Sequence, residues 1–301
     1  MRKILRTALV ALVVAAFGVT AAASSLRIVT STSVFADFAR QVGGERVEVS
    51  SIVPAGADPH TYEPTPREAR DIALADILVV NGFGLELWLE KLLQNVASPS
   101  LTVVTLSEGL TPIGGVSYVA HGHAHNGHAH EEGDPHFWLD VQHAIHYVRR
   151  IEEALVAADP EGASYYRERT ARYVATLHEL DRWIQEQIAQ IPAERRVLLT
   201  YHDAFAYFAA RYGLRLQGVV VRNPDREPSP RDIAALIAEV RSLGTPAIFA
   251  EPQINPKYAE SLAREAGIKV GYLYSDALTA DIPTYVEMMR YNTLSLVEAL
   301  K

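Results

Sequence analysis

Residues 162–191, GASYYRERTARYVATLHELDRWIQEQIAQI, read as one helix that ends at Pro192. Its charged residues, among them Arg167, Glu168, Arg169, Arg172, Glu179, Asp181 and Arg182, are spread along the whole stretch. At 1.5 Å per residue such a helix spans about 45 Å, too long for a connection inside one lobe. Asp159-Pro160 breaks the chain just before it. Residues 159–192 are therefore read as a rigid backbone helix joining two lobes, residues 24–158 and residues 193–301.

Upstream, short apolar runs alternate with helical patterns. Residues 26–30 form a strand, 34–42 a helix stopped by Gly43-Gly44, and 47–53 a second strand that runs into Pro54-Ala55-Gly56-Ala57-Asp58-Pro59-His60. Thr65, Pro66 and Glu68 make an N-cap, an N1 proline and a capping box. Strands at 76–80 and 101–106 flank a helix at 85–96. The pattern is lost over residues 114–133, a loop length that is usually functional or disordered. Asp140 then caps a helix whose apolar face is Val141, Ile145, Val148, Ile151 and Leu155.

Downstream the alternation resumes. Residues 196–200 form a strand leading to Tyr201-His202-Asp203, and 204–212 a helix stopped by Gly213. Residues 214–221, 247–250 and 268–273 are strands, the last running to Tyr274-Ser275-Asp276. Ser229-Pro230 and Asn255-Pro256 open helices, and a C-terminal helix starts near Asp281. Strand–helix alternation of this kind predicts α/β architecture with parallel-type βα units in both lobes. No internal repeat is legible.

The first 23 residues are set apart. Arg2, Lys3 and Arg6 precede an apolar run from Leu9 to Val19, and Ala21-Ala22-Ala23 offers a small-residue cleavage site, the pattern of a secretory signal peptide. Losing those three cations takes the formal net charge from −8 to −11. No basic patch is concentrated anywhere, which argues against nucleic acid. No other stretch is long and apolar enough to span a bilayer. The absence of cysteine rules out disulfides, thiolate metal ligands, a thiol nucleophile and a lipidated cysteine. A soluble periplasmic monomer is expected.

The chemistry lies in histidine. Asp-Pro-His occurs twice, at Asp58-Pro59-His60 and Asp134-Pro135-His136. Proline fixes φ and biases the preceding Asp to an extended conformation, so each imidazole is presented from a stiff bend. Ligands of open α/β sheets bind beyond the carboxyl ends of the strands. His60, His202 and Asp276 each follow a strand, and His136 enters from the end of the long loop. Three imidazoles and a carboxylate would complete a closed four-coordinate site, one that holds a metal without activating water. On spacing alone His202 reads equally as a satisfied core histidine, and Asp276 as a turn residue or N-cap. His143 and His146 lie opposite the apolar stripe of their helix and read as a solvated face. His178 is assigned nothing, and Glu251 follows a strand without an evident partner. His121, His123, His125, His128 and His130 form an auxiliary tract that would raise the local metal concentration beside the cleft.

Several stretches together resemble one family. They are Pro54 to Pro66 (PAGADPHTYEPTP), Asp134-Pro135-His136-Phe137-Trp138-Leu139-Asp140, Tyr201-His202-Asp203-Ala204-Phe205, Glu227-Pro228-Ser229-Pro230, and Asp276. The chain after the leader is similar over essentially its whole length to the metal-binding receptors of bacterial ABC importers for zinc and manganese, which have two lobes joined by a long rigid helix. The resemblance implies that His60, His136 and His202 are nitrogen ligands and Asp276 the carboxylate. Histidine rather than glutamate at position 202 implies Zn²⁺ as cargo, with Mn²⁺ the alternative, since imidazole suits zinc and carboxylate suits manganese. It further implies delivery to a membrane permease, loading by a periplasmic metal chaperone in some members, and no enzymatic activity. Two departures stand out: the histidine tract is short for a zinc member, and Val219-Val220-Val221-Arg222-Asn223 stands where a Gly/Ser-rich segment is expected. The rival reading from another class is a zinc hydrolase with Glu63 or Asp203 as general base. It needs an open coordination position, and no HExxH motif or nucleophile elbow is present. A surface adhesin or a metal buffer is the third reading.

Overall fold

The computed structural model describes residues 25–114, 133–221, 237–238, 240–242, 244–254 and 256–301. The leader 1–23, the histidine tract 121–130, the Glu227-Pro228-Ser229-Pro230 stretch and the start of the helix expected at Ser229 lie outside the described residues.

In chain order the first lobe comprises β1 (Leu26–Thr30), α1 (Ser33–Gly43), β2 (Val47–Ser51), α2 (Pro66–Ala73), β3 (Ile77–Val80), α3 (Leu89–Val96) and β4 (Thr102–Thr105). Helices α4 (Val141–Ala158) and α5 (Ala163–Ile188) follow. The second half comprises β5 (Val197–His202), α6 (Ala206–Tyr212), β6 (Arg215–Val221), β7 (Ala247–Ala250), α7 (Lys257–Ala266), β8 (Lys269–Tyr272) and α8 (Tyr285–Leu300). The strand orders are β2-β1-β3-β4 and β6-β5-β7-β8, with every pairing parallel. The two halves thus repeat one topology that their residues do not announce. Strand order reverses between β1 and β3, and again between β5 and β7, creating the crevices where such sheets take ligands.

Central strands β3, β5 and β7 are buried along their whole length, whereas edge strand β2 alternates. Helices covering both faces of a parallel sheet explain the continuous apolar runs. The largest core runs through both halves. It includes Phe35 and Phe38 of α1, Trp138, Tyr147 of α4, Leu177 and Ile184 of α5, Phe208 of α6 and Tyr285 of α8. One shared core of this kind opposes free hinging of the halves. The last helix crosses back: α8 packs along α5 and touches α1. Asp37 of α1 accepts the Tyr285 N–H at 2.9 Å, beside the cap that Thr284 supplies.

The sequence sets most boundaries closely, and the helices expected at 85 and near 281 start furthest from expectation. Helix α3 begins at Leu89 because Gly82, Phe83 and Gly84 all have positive φ, and the turn they form continues to the start of the helix. Glu86 folds back there to accept the Asn81 and Gly82 N–H groups. Helix α8 begins at Tyr285, not near Asp281, since Thr284 after Pro283 supplies the cap. The long helix is 26 residues and ends at Ile188. Asp181 anchors it laterally: it accepts from Arg211 Nε at 3.1 Å, Arg211 Nη2 at 2.5 Å, Tyr212 Oη at 3.0 Å and Gln142 Nε2 at 3.0 Å. These bonds tie α5 to both α6 and α4.

Candidate metal centre

The two Asp-Pro-His segments fold alike. In each, the Asp Oδ1 accepts the main-chain N–H of the histidine two residues on, at 2.9 Å for Asp58–His60 and 2.9 Å for Asp134–His136. This Asx turn, with φ fixed by the proline, aims the imidazole. Both proline carbonyls are pinned from elsewhere in the lobe. Trp88 Nε1 donates to Pro59 at 2.8 Å, and Asn81 Nδ2 donates to Pro135 at 2.9 Å. Asn81 stands just beyond β3 and is itself gripped by the Tyr147 hydroxyl. On the other lobe His202 is the last residue of β5, where the sequence places it two residues beyond the strand end, and Asp276 lies beyond β8.

His60, His136, His202 and Asp276 converge, each offering a ligand atom within 4.8 Å of the others. His136, His202 and Asp276 are buried, and His60 is partly exposed. His60 Nε2 lies 3.2 Å from His136 Nε2, and His136 Nε2 lies 3.4 Å from Asp276 Oδ1. A tetrahedron with bonds of about 2.0–2.1 Å has edges of about 3.3–3.4 Å, so these two separations suit ligands around one small divalent cation. The other Asp276 oxygen lies 3.9 Å from His60 Nε2. Two imidazole nitrogens this close cannot both present bare lone pairs to each other; they share a proton or a cation. Both Asp276 oxygens are buried without a hydrogen-bond partner. An orphaned buried carboxylate costs several kcal/mol, and a cation among three imidazoles removes that cost.

Each buried imidazole has its own carboxylate. His136 Nδ1 is 2.7 Å from Asp134 Oδ1, and His202 Nδ1 is 3.3 Å from Glu251 Oε2. Burial pushes Asp134 well above the usual carboxylate range. Burial also raises Asp276, to about 7, while the charge of His202 opposes the rise. For His202, burial alone would lower the pKa, but the attraction and hydrogen bond of Glu251, then Asp276, push it up to about 10.

His143 is half-buried against the rings of Phe137 and Tyr207, and His146 Nε2 lies 3.0 Å from the Glu108 carbonyl. Their face of α4 is packed, which corrects the solvated reading. His178 and Glu63 are exposed. Asp203 is half-buried and adjoins His202. Glu251 was without a partner in the sequence and gains one here because β7 lies next to β5. The signal that could have found it is its place one residue beyond a central strand, at the second reversal of strand order.

The chain is similar to the manganese-binding lipoprotein MntA of Halalkalibacterium halodurans, 33% identical over 282 residues that cover 91% of this chain and 88% of the relative. It is similar to the iron-binding protein YfeA of Yersinia pestis, 31% identical over 275 residues covering 89% of this chain and 84% of the relative. Among solved structures, the Mn-bound periplasmic metal binding protein from Candidatus Liberibacter asiaticus aligns with a TM-score of 0.78 at 26% identity, over 92% of this chain and 100% of that chain. The model of the ZnuA family, zinc-uptake complex component A, periplasmic, matches residues 28–299, and the chain belongs to that family of metal-binding receptors of ABC importers.

Proposed function

We propose that this protein captures Zn²⁺ outside the cytoplasm through His60, His136, His202 and Asp276 and hands it to the permease of an ABC importer. The observation that carries the reading is Asp276, a buried carboxylate with no hydrogen-bond partner, 3.4 Å from the Nε2 of His136. Four protein ligands leave no coordination position for a nucleophilic water, so no bond is made or broken. The metal arrives and leaves as cargo. Three imidazoles to one carboxylate favour zinc over manganese. The manganese reading has support of its own in a relative named for that metal. Histidines 121–130 are proposed as an auxiliary capture tract feeding this site, and the working unit as a monomer that a periplasmic chaperone can load.

The test is metal content of untagged protein followed by zinc–manganese competition on the metal-free form. One tight equivalent of zinc, lost in His60→Ala and not displaced by manganese, is the expected result. Preference for manganese overturns the cargo assignment. Several weak equivalents that survive His60→Ala overturn the site.

A further inference from the structure

Strand β7 lies between β5 and β8 in the second sheet. Strand β5 ends in His202, and β8 leads to Asp276. Glu251, one residue beyond β7, therefore stands between the two ligands that this half contributes. It is 1% exposed. Its Oε2 lies 3.3 Å from His202 Nδ1, accepts from Gln253 Nε2 at 3.0 Å, and accepts the hydroxyl of Ser275, the neighbour of Asp276. The same carboxylate oxygen thus touches the His202 ring and the residue before Asp276.

We propose that Glu251 is a positioning residue of the metal centre, fixing which nitrogen of His202 meets the cation and strengthening it as a donor. The proposal rests on the metal-receptor reading above. A neutral imidazole carries one N–H and one lone pair. A carboxylate opposite Nδ1 demands the N–H there and leaves the lone pair on Nε2. Without that partner both tautomers are accessible, and binding must select one. An imidazole that donates to an anion is also the more basic ligand, which matters most for a metal that bonds strongly to nitrogen. Glu251 further supplies a negative charge beside the cation while Ser275 and Gln253 hold it in place. Asp134 stands in the same relation to His136 in the first lobe, at 2.7 Å. The two buried histidines are thus braced from opposite lobes by one chemical device.

The experiment compares wild type, Glu251→Gln and Glu251→Ala by zinc competition against a chromophoric chelator. Long-range ¹H–¹⁵N spectra of the zinc-loaded, histidine-labelled proteins are recorded alongside, with His202 assigned through His202→Gln. The expected result is a zinc affinity lower by about 10–100-fold in both variants. The His202 Nδ1–H resonance should be shifted downfield in wild type by its bond to Glu251 and lose that shift in Glu251→Ala. Affinity within tenfold of wild type overturns the proposal, as does a His202 Nδ1–H resonance that is unchanged in Glu251→Ala. If the alanine variant does not fold, the affinity of Glu251→Gln decides by the same threshold. A wild type that binds no zinc overturns the receptor reading instead, so the two failures are distinguishable.

Discussion

The indole Nε1 of Trp138 donates to the carbonyl of Ser275 at 2.7 Å. Trp138 is two residues after His136, and Ser275 immediately precedes Asp276. One hydrogen bond therefore joins the neighbours of two candidate ligands from opposite halves of the chain. Trp138 is fully buried and packs edge-on against Phe35 with ring centroids 5.3 Å apart. The separation of His136 from Asp276 is thus set before any cation arrives.

Trp138→Phe keeps most of the buried ring and removes the donor. The Ser275 carbonyl is left unpaired, which costs about 1–3 kcal/mol. Urea unfolding of the metal-free protein should show that loss, and stopped-flow chelation should show faster zinc release. Unchanged release would mean that the cross-lobe bond does not hold the site.

Asp134→Asn removes the charge facing His136 Nδ1 while an amide oxygen can still accept the His136 N–H that shapes the turn. Zinc affinity should fall about 10–100-fold, with little change in metal-free Tm. A large drop in Tm with affinity intact would reverse the assigned role. Competition titration and thermal melts on the same sample read both.

Protons and metal compete for this site, and the sign follows from two raised pKa values. His202 sits at about 10 in the fold against an ordinary 6.5, and Asp276 at about 7 against 3.8. In each case the folded metal-free form binds the proton more tightly. The His202 contribution to stability is complete below 6.5 and is lost as pH rises toward 10, and the Asp276 contribution is lost between 3.8 and about 7. These groups thus weaken the metal-free protein as pH rises, while zinc, which displaces their protons, binds more tightly. The Tm increment caused by zinc should be larger at about pH 8 than at about pH 6. Calorimetry in buffers of different ionisation enthalpy should show roughly one to two protons released per zinc near neutrality. A pH-independent affinity across that range would contradict the assignment.

Asp181→Ala separates framework from site. The side chain is buried and receives Arg211, Tyr212 and Gln142. Burial would raise its pKa, but those hydrogen bonds and the Arg211 charge hold it below the usual carboxylate range. Its removal should cost about 2–3 kcal/mol by chemical denaturation. Zinc affinity should stay within about twofold, because the clamp joins α4, α5 and α6, none of which carries a candidate ligand. A parallel loss of affinity would show that lobe anchoring, not local geometry, sets the site.

The features legible along the chain are local. Proline in Asp58-Pro59-His60 and Asp134-Pro135-His136 dictates two stiff turns whose shape needs no distant partner, and both form as Asx turns. Thr65, Pro66 and Glu68 dictate a helix start, and all three act there. The alternation of apolar runs with amphipathic helices dictates parallel α/β lobes, and the long uninterrupted helical stretch dictates their connection. Adjacency, by contrast, comes from the fold. The identical strand orders of the two halves place β7 between β5 and β8, and that is why Glu251 meets His202 from 49 residues away in sequence. Helix α8 folds back onto α1, where Asp37 waits 248 residues earlier. His143 looked solvated because helical periodicity reports a face and not what packs against it; Phe137 and Tyr207 cover that face. Backbone dihedral preferences and hydrophobic periodicity act between near neighbours and can be read along the chain. Strand order and the pairing of buried charges act between residues that only the fold brings together.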